Sequence, residues 1–397
     1  MPTAQARDAV PKIDGLNLHI YQSTFENESR ILKETRTLVD HGVVGECVVA
    51  SLWRKGLPEI ESIDAKRQVH RLRTLADRLP QSTPTKAIRF AEWLVRIMLR
   101  WARARVGMVN CHSLLTLPVG VLFKLFKGSR LVYDTHELET EAWGMRGIRK
   151  PLGKALERAL IRWADDVIVV SESIATWYRE AYSIPPARVH VVRNIPYREA
   201  LHPAGDTDLL RRATGVGPDD LLFLYQGVLN PGRGIEMLLE AFAAAGASAL
   251  AEPTKHIVLM GYGALAGLVK DHAERSPNIH FQPAVPPEEV GAYTVGADVG
   301  LAIIEPVCLS YEYCLPNKLY EYVLCGLPVI ASDLTEMRRF IDEHECGWRV
   351  APNLEAVSAL IADITLEDVE AKRTAVRRFP EDLGWHTEEQ RLLEVYP

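Results

Sequence analysis

Residues 298–336 run DVGLAIIEPVCLSYEYCLPNKLYEYVLCGLPVIASDLTE. The apolar run VGLAIIE (299–305) is too short for a helix and fits a buried strand ending at Glu305. A loop then crosses Pro316, and NKLYEYVLCG (317–326) repeats its apolar residues at helical spacing. LPVIASD (327–333) is a second strand-like run. Strand, loop, helix and strand in this order form the unit of a parallel sheet covered by helices. The helix opens oddly: Lys318 stands in its first turn, where a cation opposes the macrodipole. An anion bound at that end removes the conflict, with Asn317, Lys318 and the first free N–H groups around it. Glu321 lies three residues on, on the same face. Its carboxylate suits two neighbouring hydroxyls, such as those of a ribose. The competing reading is an ordinary surface Lys–Glu pair.

Outward from this stretch the same alternation fills the chain. In the first half, strands are expected at 16–22, 46–52, 108–112, 130–136 and 166–171, with helices at 28–41, 86–105, 150–164 and 172–182. The second half restarts with strands at 221–227, 256–263, 278–284, 299–305 and 327–333. Its helices are expected at 233–245, 264–275, 286–296 and 317–326. Between the halves runs VRNIPYREALHPAGDTD (192–208), rich in Pro and turn formers and read as a linker. The 397 residues are too many for one ordinary core. The expected division is an α/β domain over 1–195, a second over 196–380, and a closing helix over 381–397 that returns to the first. In such doubly wound folds ligands bind outside the carboxyl ends of the strands.

Composition narrows the class. With 47% hydrophobic and 25% charged residues the chain is ordinary for a globular protein. The first 15 residues hold no apolar run, so no secretory signal is expected. Nor does any segment have the roughly 20 apolar residues a membrane span needs. The 6 cysteines are scattered without a C-x-x-C pair, unlike a disulfide framework or a zinc site. A cytoplasmic protein, at most at the inner face of a membrane, is the expectation. Charge is divided unevenly, with a basic residue excess up to position 200 and an acidic one beyond it.

Several ordered motifs then carry a resemblance. LPNKLYEYVLCGLPVIASD (315–333) resembles the donor-binding signature of the GT-B glycosyltransferases of family 4. YDTHE (133–137), VIVVSESIATWY (167–178), YQGVLNPGRGIEMLLEAF (225–242), IVLMGYG (257–263) and HFQPAVPPEEVGAY (280–293) are similar to the same family, as is Trp385 before the terminal helix. The likeness runs from about residue 15 to the end and is weakest over 53–107. It implies an α/β GT-B fold, two doubly wound Rossmann-like domains facing each other across a cleft. It further implies transfer of a sugar from a nucleotide-diphosphate-sugar donor to an acceptor hydroxyl, with retention of configuration, in glycan, polysaccharide or glycolipid synthesis. By the same resemblance Arg233 and Lys318 neutralise the donor diphosphate, Glu321 holds the ribose, and His136 reaches the transferred sugar. The base is read by backbone around Pro283–Val285. No cofactor and no metal are implied, so protein cations must stabilise the leaving diphosphate.

Three departures accompany the likeness. Many members carry a glutamate eight residues before the one matching Glu321, where this chain has Tyr313; Glu305 and Glu312 are the nearby substitutes. A usual arginine after the first donor-domain strand aligns with Val228, and the early Gly-Gly loop is replaced by STFENES (23–29). Two rival functions follow: a catalytically inactive sugar-nucleotide-binding subunit, and a nucleotide-sugar epimerase, which would act with no acceptor present. GYGALAG (261–267) imitates a dinucleotide fingerprint, but the next strand lacks the required acid. Gly261 and Gly263 therefore read as a tight turn that lets backbone approach the donor. Asp134 reads as a turn cap.

Basic residues recur at helical spacing in the first half, at Lys86, Arg89, Arg96, Arg100 and Arg103 and again at Lys150, Lys154, Arg158 and Arg162. Beside the reading as solvated faces, they suggest peripheral contact with anionic lipid or a phosphate-bearing, lipid-linked acceptor. A small-molecule or glycan acceptor fits equally. No nucleic-acid motif accompanies the charge.

Overall fold

The computed structural model describes residues 12–26, 28–80, 82–201, 208–247, 254–380 and 382–396. Most of the polar leader and the centre of the linker, 202–207, lie outside the described residues. The chain forms two compact units, Met1–Arg193 with Glu388–Pro397, and Asn194–Thr387. The division falls inside the linker, and residues 382–387 belong with the second unit rather than with the returning tail.

The first unit runs β1 (Leu16–Ile20), α1 (Ser29–Asp40), β2 (Cys47–Leu52), β3 (Ile60–Ser62), β4 (Arg67–Leu72), α2 (Thr83–Arg100) and β5 (Val106–Cys111). It continues through α3 (Leu117–Lys127), β6 (Arg130–Asp134), α4 (Arg149–Leu160), β7 (Asp166–Val169), α5 (Glu172–Tyr182) and β8 (Val189–Val191). The sheet order is β3-β4-β2-β1-β5-β6-β7-β8, parallel except that β3 pairs antiparallel to β4. Strands such as β1 are buried along their whole length, which is why they read as apolar runs. The edge pair β3–β4 escaped that reading. Within β4 only Val69 and Arg71 are buried, so its sequence RQVHRL is mostly polar. The strand order reverses between β1 and β5, which leaves an open end at the tips of these two strands.

The second unit runs α6 (Leu209–Thr214), β9 (Leu221–Val228), α7 (Ile235–Ala247), β10 (Lys255–Tyr262), α8 (Ala266–Ala273), β11 (Ile279–Pro283), α9 (Val290–Thr294) and β12 (Val299–Ala302). After it come α10 (Leu309–Glu312), α11 (Asn317–Leu324), β13 (Val329–Ser332), α12 (Thr335–His344), β14 (Gly347–Val350), α13 (Leu354–Asp363) and α14 (Leu366–Val376). α15 (Trp385–Val395) starts in this unit and from Glu388 onward belongs to the first. Its parallel sheet has the order β11-β10-β9-β12-β13-β14, reversing between β9 and β12. Alternate residues of β9 feed two cores: Leu222 and Leu224 pack with α11, while Leu221, Phe223 and Tyr225 pack with α7. Each such side chain contributes about 1.5–3 kcal/mol when fully buried. Asp298, just ahead of β12, anchors this centre by accepting from Arg211 (2.6 Å), Arg373 (2.8 Å) and the Leu222 N–H (2.9 Å). β12 stops at Ala302, short of the expected Glu305, because the Ile304 N–H turns to the Ser332 hydroxyl at 2.8 Å.

The C-terminal helix ties back in two places. The Trp385 N–H donates to the Pro196 carbonyl (3.0 Å) within the second unit. Further on, the Asn110 amide donates to the Tyr396 hydroxyl (3.0 Å) and Arg130 to the Val395 carbonyl (2.9 Å), in the first.

Gly263 opens the turn closed by the Ala266 N–H on its carbonyl (3.2 Å), and both Gly261 and Gly263 have a tertiary role as well. A Cβ on Gly261 would sit 1.8 Å from the Gly227 carbonyl oxygen, and one on Gly263 would sit 2.4 Å from that of Leu229. The space is taken by the end of β9, so these glycines let two strands approach. Gly261→Ala should therefore destabilise the second unit by more than about 1–3 kcal/mol, the usual range for overpacking. Thermal denaturation checks this; an unchanged melting temperature would overturn it.

Candidate functional site

Two cations meet at the carboxyl end of the second sheet. Arg233 sits in the turn between β9 and α7, and Lys318 in the first turn of α11. The turn needs glycine: Gly234 has φ +70°, and a Cβ there would lie 2.5 Å from Ile303 Cγ2. The Arg233 guanidinium carbon stands 4.4 Å from the ring centre of Tyr311, and Lys318 Nζ 3.5 Å from that of Tyr225. Both are half-buried, and among the described residues neither has a carboxylate within ion-pairing distance. Burial first, and Arg233 second, push the Lys318 ammonium down to about 7, against the pull of Glu321. An anion placed beside two such like charges would offset their repulsion.

Glu321 projects to the same end. Its Oε2 accepts from the Gln226 amide at 2.5 Å, and Gln226 Oε1 accepts in turn from Thr294 at 2.8 Å. The carboxylate is thus oriented at the tip of β9 by a side chain of β9 itself. Glu305 Oε1 faces the Gly234 N–H at 3.4 Å, just ahead of α7, beside Arg233 in sequence. Glu312 is committed elsewhere: its Oε1 accepts from both the N–H (3.2 Å) and the hydroxyl (2.7 Å) of Thr335 at the start of α12. Tyr313 closes α10 and is half-buried. Asn317 is exposed as the first residue of α11, and Val285 packs its side chain against the core that α11 covers.

In the first unit, the tips of β1, β5 and β6 bring together Tyr21, His112 and His136. Ring centres are 5.3 Å apart for Tyr21–His136 and 5.2 Å for His112–His136. Beneath them runs a buried polar chain. Asn17 Nδ2 is 2.9 Å from His19 Nε2, His19 Nδ1 is 2.8 Å from His112 Nε2, and His112 Nδ1 is 2.9 Å from Asp134 Oδ2. Its direction follows from its ends. An amide N–H can only donate and a carboxylate can only accept, so every hydrogen bond points toward Asp134. Burial, opposed by Asp134, brings the His112 imidazole down to about 4. Burial, then His112, likewise holds His19 well below the usual histidine range. Both are neutral near pH 7, as this one-way chain requires. His136 Nε2 stands at the half-exposed end, 3.4 Å from the same Asp134 oxygen.

Asp134 is the pivot. Arg30 grips it with Nε (3.1 Å) and Nη2 (2.8 Å) and reaches the Val192 carbonyl with Nη1 (2.8 Å). Burial alone would raise Asp134, but Arg30 and the two histidines outweigh it and hold it well below the carboxylate range. Glu34, 2.9 Å from the same guanidinium, goes the other way: burial and the Asp134 charge raise it well above its ordinary value. His19, Glu34 and His112, and likewise His112, Asp134 and His136, present atoms close enough to share a metal. The Arg30 charge on Asp134 opposes a cation there.

Comparison with known proteins accords with this geometry. A family model described as Glycosyltransferase Family 4 matches residues 28–195, and one described as Glycosyl transferases group 1 matches residues 220–366. The chain belongs to glycosyltransferase family 4, with the GT-B fold. A D-inositol 3-phosphate glycosyltransferase of Thermomonospora curvata is 25% identical to this enzyme over 313 residues, 73% of this chain and 70% of the relative. Among solved structures, the sucrose-phosphate synthase of Thermosynechococcus elongatus superimposes with a TM-score of 0.74 at 17% identity, covering 96% of this chain and 95% of its own. Anabaena HepE, solved with UDP-glucose, gives 0.69 at 15% identity, with 96% and 98% covered.

Measured against the sequence, this glycosyltransferase 4 member differs in three respects. Asp134 does not cap a turn; it is the anion of a buried ion pair. The basic rows are paired in part: Arg89 binds Asp77 (2.9 Å), Arg96 binds Glu92 (2.7 Å), and Lys150 and Lys154 share Glu141 (2.5 and 2.6 Å). Arg103 falls beyond α2, which ends at Arg100. Sequence reasoning also missed Arg30, His19 and His112. The available signal was a polar residue inside an apolar strand run, as in LNLHI and MVNCH.

Proposed function

We propose that this glycosyltransferase binds its nucleoside-diphosphate sugar in the second unit and transfers the sugar with retention of configuration. The observation that carries the reading is the Arg233–Lys318 pair, two half-buried cations without a carboxylate partner among the described residues. A diphosphate supplies the missing charge. The oriented carboxylate of Glu321 supports a role at the ribose, with Asn317 and the first N–H groups of α11 beside the phosphates. Backbone near Val285, Gly261 and Gly263 would line the remainder, and Tyr313 and Glu305 would lie toward the sugar.

In the reaction the bond from the anomeric carbon to the diphosphate breaks and the acceptor oxygen bonds to that carbon on the face the diphosphate leaves, which retains configuration. Negative charge grows on the leaving phosphate, where Arg233 and Lys318 stabilise it more than in the ground state. The acceptor proton passes to the leaving phosphate oxygen. In this reading protein cations, rather than a metal or cofactor, serve the leaving group. His136 of the first unit is proposed to contact the transferred sugar, with its ring held by Asp134. The acceptor is proposed to be a sugar or polyol hydroxyl, free or carried on a lipid; the name of the Thermomonospora relative supports a polyol. Among the described residues no helix is long and apolar enough to cross a membrane.

Thermal shift against a panel of nucleoside diphosphates and their sugars tests the donor site. A ligand at 100 times its Kd should stabilise by about 2.7 kcal/mol, and Glu321→Ala should lose that shift. No shift with any member would overturn donor binding. Inverted anomers in the product would overturn retention, and turnover of donor without acceptor would favour an epimerase.

A further inference from the structure

With Arg89, Arg96, Lys150 and Lys154 paired to local acids, an apolar surface of the first unit stands out. α3 and α4 lie side by side. Leu114, ahead of α3, approaches Gly153 in α4, with its Cδ2 3.8 Å from where a Cβ would stand. Near the other end, Lys124 of α3 binds Asp165 just past α4 at 2.5 Å. The two helices therefore run in the same direction, as successive crossovers of a parallel sheet must.

α3 buries Leu117, Val119, Val121 and Phe123 against the sheet. Its opposite side is apolar as well: Leu122, Leu125 and Phe126 are all exposed, Phe126 by 77%. Beside them α4 exposes a row at i, i+4 and i+8, with Ile148 at its N-cap 73% exposed, Leu152 62% and Leu156 37%. Apolar rows this contiguous are uncommon on a surface that meets only water. Charge decides the occupant. α3, α4 and the segment 142–148 hold a single carboxylate, Glu157, and it is buried beneath Tyr133, Tyr178 and Tyr182. The exposed charges are cations: Arg149 at the start of α4, Arg158 along it, and Arg146 stacked on Trp143 at 4.2 Å.

We infer that the outward face of α3 and α4 is a docking surface for an anionic lipid bilayer. Phe126, Leu125, Ile148 and Leu152 would enter the boundary between headgroups and acyl chains. Arg146 and Arg149 would meet lipid phosphates, with Trp143 at headgroup level. This surface extends the lipid-borne acceptor reading but does not rest on nucleotide binding, since it uses only residues of the first unit.

Co-sedimentation with vesicles of phosphatidylcholine, alone or with phosphatidylglycerol, tests it on the full chain. Binding to the anionic vesicles should exceed that to neutral ones by about tenfold and weaken with salt. Phe126→Ser with Leu152→Ser should reduce it at least about tenfold, and Arg146→Glu with Arg149→Glu should remove the preference for anionic lipid. These side chains are exposed, so melting temperature and nucleotide shift should stay unchanged and report intact folding. No vesicle binding, or binding equal in the variants, would overturn the inference. So would a dimer in solution that Phe126→Ser converts to a monomer, since a second copy would then cover the face.

Discussion

Replacing Lys318 with methionine should slow sugar transfer severely and yet raise the stability of the ligand-free protein at neutral pH and below. Both effects come from one fact, an ammonium held over Tyr225 beside Arg233 with no carboxylate at ion-pairing distance among the described residues. Loss of a cation aimed at the leaving diphosphate should lower kcat by about 10²–10³-fold. The stability effect has a definite sign. The Lys318 ionisation lies at about 7 in the folded chain, against roughly 10.4 for an ordinary lysine. The unfolded chain therefore binds more protons between these values, and native stability falls as pH drops from about 10 to about 7. Methionine keeps the apolar stem and removes that penalty. The same shift makes nucleotide binding draw a proton: near pH 8 the free lysine is about nine-tenths neutral, and the diphosphate recruits the charged form. Calorimetry in two buffers of different ionisation heat should report uptake approaching one proton, with affinity falling as pH rises above about 7. Lys318→Arg keeps the charge and should bind without uptake. Equal heats in both buffers for the natural protein would overturn the account.

Arg30→Met should be the most damaging single change in the first unit. Arg30 is buried, and its removal strands Asp134 as an uncompensated interior anion with Val192 losing its donor. Breaking one side of such a pair costs about 3–5 kcal/mol. For a unit of this size that corresponds to a fall in Tm of about 10 °C. Asp134→Asn on the same background should recover part of the loss, because the buried charge disappears with its partner. If the double variant is no more stable than the single, the ion pair is not the source. Asp134 also sets an acid limit. Its ionised form is favoured in the folded state, so its contribution is present above the ordinary carboxylate range and lost as pH falls below it.

Much of the grouping of Arg233, Lys318 and Glu321, proposed above as the donor site, was legible because it is local. Lys318 and Glu321 share one turn of one helix, and Arg233 follows a strand through a turn whose Gly232 and Gly234 take positive φ. Helical period and strand-end position are properties of neighbouring residues, so they survive in the sequence. Both parallel sheets were legible for the same reason, since strands buried on both faces are apolar runs. What failed was of another kind. β4 is a polar edge strand, and α3 is apolar on both its sheet-facing and outward sides, so neither carries the expected period.

From sequence alone came two α/β domains, the division within the linker and the cation pair with its carboxylate. Only the tertiary structure decided that His19, His112, Asp134 and Arg30 form one buried network. It also decided that Gly261 answers to the Gly227 carbonyl and that Arg89, Arg96, Lys150 and Lys154 of the basic rows pair with Asp77, Glu92 and Glu141. Arg30 and Asp134 are 104 positions apart, and His19 and His112 are 93. Contacts over such separations depend on strand order, which periodicity does not encode. The strand reversal between β1 and β5 places one histidine against the other.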